Sequence, residues 1–239
     1  MWFFLLACQM FYYGDEEISE LQVSQVVDSW NIGIQRSVSS AVKILVMSEG
    51  YRIGHGSGNL FYYHNELFII TAAHVVDGEK TDYLIQESNG NTLSCKPIYK
   101  DTGNDIAIVK PYGEFMTTKP SPYHTSMQKD LTAKEMYYSG NPGELDHVSF
   151  RGWVAESDHY QVILQSFAWP GSSGSVVFDI AGRAIGVISA IPIVHNFHDG
   201  GMMPLSQIVM VRRLEVLPRK IIREALMNEK RSIKSRNSD

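Results

Sequence analysis

From residue 41 onward the sequence is a succession of short β-branched and aromatic runs, separated by residues that favour turns. Many short strands at this spacing favour an all-β barrel or sandwich over alternating strands and helices. Residues 116–128 are polar and contain Pro120 and Pro122, which predicts a connector between two β units, 38–115 and 129–212. We predict strands at residues 41–46, 60–63, 67–71, 83–86, 93–98, 106–109, 148–155, 160–164, 175–179, 184–190 and 208–211.

Helices are predicted only at the two ends of the chain. The spacing of apolar residues between Ile18 and Trp30 predicts a leading helix over residues 15–34. Pro218 fits the first position of a second helix, so residues 213–239 are predicted to form a helix and a tail. From residue 211 onward there are nine Lys/Arg and four Asp/Glu. This pattern is typical of a solvated amphipathic helix, and an interaction tail would show it as well.

The first 14 residues form an apolar segment, which ends where Gly14 is followed by three acidic residues. The segment is too short to cross a bilayer as a helix, for which about 20 residues are needed. It lacks the basic start of a secretory signal, although Leu5-Leu6-Ala7-Cys8 is similar to a bacterial lipoprotein processing box. An export signal, a membrane tether at Cys8 and an arm packed on the fold all remain open. We suspect export to the periplasm or a membrane surface, with a cytoplasmic or virus-encoded protein as the alternative.

Composition excludes several classes of protein. With 21 basic and 26 acidic residues the formal charge is −5, which argues against a protein that coats nucleic acid. The only two cysteines, Cys8 and Cys95, cannot form a disulfide scaffold or a four-cysteine zinc site.

Three short segments carry residues suited to catalysis. In the first, an apolar strand runs through Thr71 into small residues and then His74. In the second, Asp105 opens a strongly apolar strand, where an unpartnered carboxylate would be costly to bury, and Asp101 is a nearby competitor. In the third, Ser173 lies between glycines, which let backbone amides converge on one point as an oxyanion hole requires. Each segment alone also fits a structural role: a core histidine, a capping aspartate and a linker.

Taken together, the order His, Asp, Ser with gaps of 31 and 68 residues resembles the chymotrypsin-like serine proteases. The similarity is greatest to the Deg-type (HtrA-like) protease domain, here without a PDZ domain. Residues 71–75 resemble that family's strand end at the histidine, and 105–109 resemble its D-[IL]-A-[IVL]-[IVL] strand. Residues 171–176 stand where the family has G-N-S-G-G-P, and 182–191 resemble its G-x-V-I-G-I-N-T-A-I strand. Gly56-Ser57-Gly58 resembles the glycine-serine turn that leads to the histidine.

This resemblance implies two six-stranded antiparallel Greek-key β-barrels, with the C-terminal helix added. It implies a serine endopeptidase in which Ser173 is the nucleophile, His74 the general base and Asp105 the residue that orients His74. The oxyanion hole would be formed by the backbone N–H groups of Gly171, Ser172 and Ser173. The substrate pocket would be lined by Phe167, Ala168, Ile188, Ser189 and Ala190, which are uncharged and favour a small or medium apolar residue before the cleaved bond. No cofactor or metal is expected; the expected partner is a protein or peptide substrate, not nucleic acid, and a homo-oligomer is compatible with the sequence.

The sequence departs from the family pattern after the nucleophile, where Ser175 and Val176 replace a glycine and a proline. A protease fold that only binds its ligands, as a chaperone does, and a viral or phage processing protease remain alternatives. An α/β-hydrolase is disfavoured because its triad has the order Ser, Asp, His. His195, His198 and Asp199 are interpreted as part of a flexible loop beside the cleft, since no helix aligns them as metal ligands.

Overall fold

The computed structural model describes residues 31–78, 81–195 and 202–236. Within these residues, antiparallel strands close into two six-stranded barrels. The predicted all-β fold with two barrels and a C-terminal helix is therefore confirmed. Neither described helix has the length and apolar character that a bilayer crossing requires.

The first barrel has the strand order β1-β4-β5-β6-β3-β2 and closes where β2 pairs with β1. A short strand β7, Ser121–Pro122, adds to β2 in parallel. The six barrel strands are β1 (Ala41–Ser48), β2 (Tyr51–Tyr63), β3 (Glu66–Thr71), β4 (Asp82–Gln86), β5 (Thr92–Asp101) and β6 (Ile106–Tyr112).

The second barrel has the order β10-β15-β12-β11-β8-β9 and closes where β9 pairs with β10. A hairpin of β13 (Ile193–His195) and β14 (Met202–Pro204) lies between two of its strands in sequence. The barrel strands are β8 (Glu135–Gly140), β9 (Val148–Ser157), β10 (Gln161–Gln165), β11 (Val176–Asp179), β12 (Ala184–Ala190) and β15 (Ile208–Arg213).

Two helices flank the barrels. Helix α1, Ile32–Ser40, begins at Asn31, whose Oδ1 accepts a hydrogen bond from the N–H of Ile34 at 3.1 Å. It packs on β8 and β11 of the second barrel. The helix predicted over 15–34 and the apolar segment 1–14 lie mostly or wholly outside the described residues, so these two predictions stand as they were. Helix α2, Arg219–Arg236, follows Pro218 and packs on β5 and β6 of the first barrel.

The apolar cores follow the two barrels. The larger core joins the first barrel to the buried face of α2, where Ile222 and Leu226 are shielded from solvent. The smaller core fills the second barrel and includes Ile188 and Val209. Because each barrel encloses its own apolar interior, the loops between strands are left at the surface, where they can build a site.

One buried carboxylate fixes the start of the connector between the barrels. Glu87, which is almost fully buried, accepts hydrogen bonds from the backbone N–H groups of Met116, Thr117 and Thr118 at 2.7–3.1 Å. Burial would raise the pKa of Glu87, but these bonds and one from Asn91 outweigh it and lower the pKa to about 2.

The largest departures from the sequence-based expectation within the barrels are at β2 and β8; the short strands β7, β13 and β14 were not predicted either. β2 begins at Tyr51, far ahead of the expected residue 60, because Gly54, Gly56 and Gly58 hide its alternation. Two of these glycines lie where other groups come close: a Cβ on Gly56 would meet the Val75 side chain, and one on Gly58 would meet Ile69. β8 was not predicted, although it contains two adjacent tyrosines. His195 ends β13, whereas His198 and Asp199 lie outside the described residues.

Candidate active site

The histidine and the aspartate meet because the strands that carry them are neighbours. β3 pairs with β6 so that Thr71 lies opposite Ala107. His74 follows β3 in a 3-10 turn, Ala73–Val76, and Asp105 immediately precedes β6. Asp105 has a positive φ of 53°, a left-handed conformation that aspartate tolerates better than most residues.

Asp105 binds His74 through both the ring and the backbone. His74 Nδ1 lies 2.9 and 3.0 Å from the two carboxylate oxygens, and its backbone N–H donates to Oδ1 at 3.0 Å. An ionised carboxylate can only accept, so Nδ1 carries the proton and Nε2 keeps a lone pair. The His74 side chain is 50% exposed and Asp105 only 18%, so the ring can be reached from solvent while its partner is covered.

The charges of the pair are mutually stabilised. The hydrogen bond that His74 donates to Asp105 raises the pKa of His74 above its usual 6.5, although burial opposes this. Burial would raise the pKa of Asp105, but hydrogen bonds from His74 and from Ser189 Oγ, the latter at 2.5 Å, outweigh it and lower the pKa. Asp101, the competing carboxylate, instead closes its own turn by accepting from the backbone and side chain of Asn104.

Ser173 lies in the turn between β10 and β11, which reaches the first barrel at β2. The Ser173 carbonyl accepts from the N–H of Ser57 at 2.8 Å. A Cβ on Gly56 would meet both this carbonyl and Val75, the residue after His74. β12 makes a second link, because Gly174 and Ser175 exchange backbone hydrogen bonds with Ile188, whose neighbour Ser189 binds Asp105. The three predicted segments therefore come together.

The predicted oxyanion donors differ in their hydrogen bonds. The Ser172 N–H donates to the Trp169 carbonyl at 2.9 Å and so holds the turn together. The N–H groups of Gly171 and Ser173 donate to no acceptor among the described residues. Gly171 has φ +101° and Gly174 φ +93°, conformations that favour glycine, so the glycine-rich sequence meets a backbone requirement here.

A cavity of about 320 Å³ lies beside Ser173 and is lined almost entirely by apolar groups. Of the five residues predicted for the pocket, Ala168, Ile188 and Ala190 line it. Ser189 instead donates to Asp105, and Phe167 packs its half-exposed ring on Phe150 with centroids 5.8 Å apart. The lining residues are Ala168, Trp169, Pro170, Ser172, Ser173, Ile188, Ala190, Ile191 and Ile193.

Sequence reasoning missed the residues that hold this turn from outside. Ser57 and Gly143 donate hydrogen bonds to it, Asn141 donates to Ser57, and none of the three was a predicted site residue. The available signal was weak: Ser57 lies between two glycines, and Asn141 and Gly143 belong to a run typical of a turn.

Comparison with known proteins agrees with this geometry. Residues 56–187, more than half of the chain, match the sequence model of the trypsin-like peptidase domain. The chain belongs to the trypsin-like peptidase family. The match includes the positions of His74, Asp105 and Ser173.

Several curated relatives are similar to this trypsin-like peptidase domain. It is 29% identical over 153 residues to a serine protease HtrA-like of Staphylococcus epidermidis, covering 55% of this chain and 25% of the relative. It is also 29% identical over 159 residues to a probable periplasmic serine endoprotease DegP-like of Pseudomonas savastanoi, covering 63% and 31%. Protease Do-like 1, chloroplastic, of Arabidopsis thaliana is 26% identical over 151 residues, covering 58% and 34%. The chain thus spans about a quarter to a third of the length of these relatives.

A solved structure gives the same fold. The serine endoprotease from Yersinia pestis superposes with a TM-score of 0.65 at 16% sequence identity, over 84% of this chain and 68% of that one. At this identity the likeness concerns the arrangement of the two barrels.

Proposed function

We propose that this domain is a serine endopeptidase of the HtrA/Deg type, which hydrolyses peptide bonds in proteins with His74, Asp105 and Ser173. One observation carries the proposal most strongly. The Asp105 carboxylate holds the proton of His74 on Nδ1, which leaves Nε2 as a base on a half-exposed ring, beside the segment that meets Ser173. The relatives named as serine proteases support the same reaction class.

In the proposed reaction Ser173 Oγ attacks the carbonyl carbon of the substrate peptide. A carbon–oxygen bond forms, the electron pair of the carbonyl double bond moves to its oxygen, and the hydroxyl proton passes to His74 Nε2. The resulting imidazolium is stabilised by Asp105, 2.9 Å from Nδ1. When the intermediate collapses, His74 gives the proton to the leaving amine and an acyl-enzyme remains. Water then repeats the same steps and releases the acid.

The negative oxygen of that intermediate requires hydrogen-bond donors. We assign this role to the N–H groups of Gly171 and Ser173, which have no acceptor among the described residues. The Ser172 N–H is already used by Trp169, so it is assigned to the turn itself.

The apolar cavity supports a preference for a small or medium apolar residue before the cleaved bond. None of its lining residues carries a charge that would pair with a lysine or arginine side chain. Cleavage of a randomised peptide library, read by mass spectrometry, tests this preference. Valine, leucine, alanine or isoleucine should dominate that position, and a majority of basic residues there would refute the assignment.

The central test is the variant Ser173→Ala, compared with Ser88→Ala, an exposed serine in the first barrel. Casein hydrolysis and fluorophosphonate labelling should disappear in Ser173→Ala and persist in Ser88→Ala, with equal melting temperatures. Labelling that survives in Ser173→Ala and maps to Ser172 or Ser175 would overturn the choice of nucleophile. An intact wild type without hydrolysis or labelling would instead favour the chaperone-like alternative.

We extend the proposal to export from the cytoplasm. The Pseudomonas relative is named as probably periplasmic, and residues 1–14 of this chain are apolar. Fusing these residues to a reporter enzyme that folds only in an oxidising compartment should give activity. An inactive fusion would show that they do not direct export.

A further inference from the structure

Ser57 touches the proposed oxyanion turn at two points. Its N–H donates to the Ser173 carbonyl at 2.8 Å, and its Oγ donates to the Gly171 carbonyl at 2.7 Å. Ser57 is fully buried on β2. Ser57, a residue of the first barrel, therefore hydrogen-bonds both ends of a three-residue turn of the second barrel.

The direction of the Ser57 hydroxyl is set by a second buried residue. The backbone N–H of Asn141 donates to Ser57 Oγ at 2.9 Å. A serine hydroxyl has a single hydrogen, and because Oγ accepts from Asn141 that hydrogen is left for the Gly171 carbonyl. Asn141 is itself fixed, since its Nδ2 donates to the Val42 carbonyl at 3.2 Å and its Oδ1 accepts from the His147 N–H at 3.0 Å.

These bonds orient two successive peptide planes. The Gly171–Ser172 peptide is held at both ends, by Ser57 at its carbonyl and by Trp169 at its N–H. In the preceding peptide, the Pro170 carbonyl accepts from the Gly143 N–H at 2.7 Å. All described peptide bonds are trans, so the Gly171 N–H points away from Gly143. Rotating either plane would break a hydrogen bond, and for the Gly171–Ser172 plane that bond comes from the fully buried Ser57.

Close packing prevents the turn from moving toward these partners. A Cβ on Gly171 would collide with the Asn141 carbonyl and with the ring of His55. His55 Nε2 donates to that same carbonyl at 3.0 Å. The Gly171 backbone therefore lies directly on the residues that orient it.

We propose that Ser57 is a positioning residue of the endopeptidase: its hydroxyl, directed by Asn141, fixes the Gly171 carbonyl, and with the bond from Gly143 to the Pro170 carbonyl this holds the Gly171 N–H where the oxyanion forms. This inference rests on the proposed function. It predicts that loss of the hydroxyl impairs stabilisation of the tetrahedral intermediate and leaves binding of the ground-state substrate intact.

The experiment compares Ser57→Ala with the matched variant Ser139→Ala. Ser139 is also buried, and its hydroxyl hydrogen-bonds Ser149 at 2.9 Å and Ser37 at 3.3 Å, with no hydrogen bond to residues 171–173 among the described residues. Each variant is assayed with an apolar peptide anilide, and with a peptide aldehyde and the corresponding peptide alcohol as inhibitors. The aldehyde accepts Ser173 Oγ at its carbonyl carbon and so forms an oxyanion, whereas the alcohol cannot.

In Ser57→Ala we expect kcat to fall about 10- to 100-fold with KM changed less than about twofold. Affinity for the aldehyde should fall in parallel, while affinity for the alcohol and the properties of Ser139→Ala stay near the wild type. Ser57→Cys, which keeps a weak donor, should lie between and serves if Ser57→Ala does not fold. Equal loss of aldehyde and alcohol affinity, or wild-type kcat in Ser57→Ala, would overturn the inference. A wild type that forms no aldehyde adduct would overturn the proposed function itself.

Discussion

His74 and Asp105 hold each other directly, whereas the turn from Gly171 to Ser173 is held by residues outside it. In the pair, one carboxylate receives the ring N–H, a backbone N–H and the Ser189 hydroxyl. In the turn, the carbonyls of Gly171 and Ser173 accept from Ser57, which is more than 100 residues away in sequence.

This difference determines how the His74–Asp105 pair and the turn from Gly171 to Ser173 each respond to substitution. The pair contains a charged hydrogen bond, which is worth more than a neutral one, and it can be lost only by changing its own members. The turn depends on several neutral hydrogen bonds of about 1 kcal/mol each. Substitutions or ligands at the loop that carries Asn141 and Gly143 can therefore shift its orientation, although they touch no reacting atom.

The largest effect is expected from the pair. Asp105→Asn should lower kcat by about 10⁴-fold, because an amide that donates to Nδ1 selects the wrong tautomer of His74. Stopped-assay hydrolysis of a peptide anilide measures it, with circular dichroism to verify the fold. Asp101→Asn is the matched control, since the Asp101 side chain accepts from Asn104 and has no hydrogen bond to His74 in the part of the chain that the structure describes. If both variants lose activity equally, the effect belongs to the turn before β6 and not to the pair.

Gly171→Ala should have the next largest effect. Its φ of +101° disfavours alanine, and the new Cβ would collide with Asn141 and His55, so the oxyanion donor is displaced. We expect kcat to fall about 10²- to 10³-fold, the usual loss for one donor. Gly90→Ala has a similar φ of +84° but open space around it, so it isolates the cost of backbone strain. Gly90→Ala should lose some stability and keep its kcat; wild-type kcat in Gly171→Ala would contradict the assigned donor.

The contrast between the two halves also explains what sequence could predict. His74 and Asp105 each end or open a strand, and short apolar motifs reveal both. Strand spacing favoured an all-β barrel or sandwich, the resemblance to the family implied two barrels, and Pro218 indicated the start of the C-terminal helix. Ser57 and Asn141 could not be assigned, because their role depends on which carbonyl each faces after two barrels have packed together.

The role of Ser189 and the start of β2 could not be predicted from the sequence for similar reasons. Ser189 was predicted to line the pocket, but its hydroxyl donates to Asp105 of the first barrel, at the point where the register between β12 and β15 shifts. The start of β2 was obscured by glycines that are required where Val75 and Ile69 come close. In both cases a tertiary contact, absent from local sequence, decides the role of the residue.

The pH dependence of kcat/KM is a further test of the His74–Asp105 pair, with a smaller expected effect than the substitutions above. His74 must be neutral to accept the proton, and its pKa is raised above 6.5 by Asp105. kcat/KM should therefore rise about tenfold per pH unit below that pKa and level off above it, with the midpoint above 6.5. The contribution of charged His74 to the free energy of unfolding depends on pH in the opposite direction. It is fully present below pH 6.5 and is lost as the pH rises through the folded-state pKa of His74. Residual activity of Asp105→Asn should show a lower midpoint; an unchanged midpoint would show that Asp105 does not control His74.

Ser175→Ala should produce the smallest change, and a favourable one. Ser175 stands where the family has glycine, and its fully buried Oγ finds no hydrogen-bond partner among the described residues. Removing an unsatisfied hydroxyl should stabilise the fold by about 1 kcal/mol, or raise Tm by about 2–4 °C. Activity should stay near the wild type, because the backbone bonds of Ser175 to Ser172 and Ile188 do not need the side chain. Thermal denaturation and kcat are compared with those of Ser57→Ala, which also loses one buried hydroxyl. Of these two hydroxyls, only that of Ser57 donates to the turn. A loss of kcat in Ser175→Ala equal to that in Ser57→Ala would mean that any buried serine near this junction affects the site. The distinction between the directly bonded pair and the indirectly held turn would then fail.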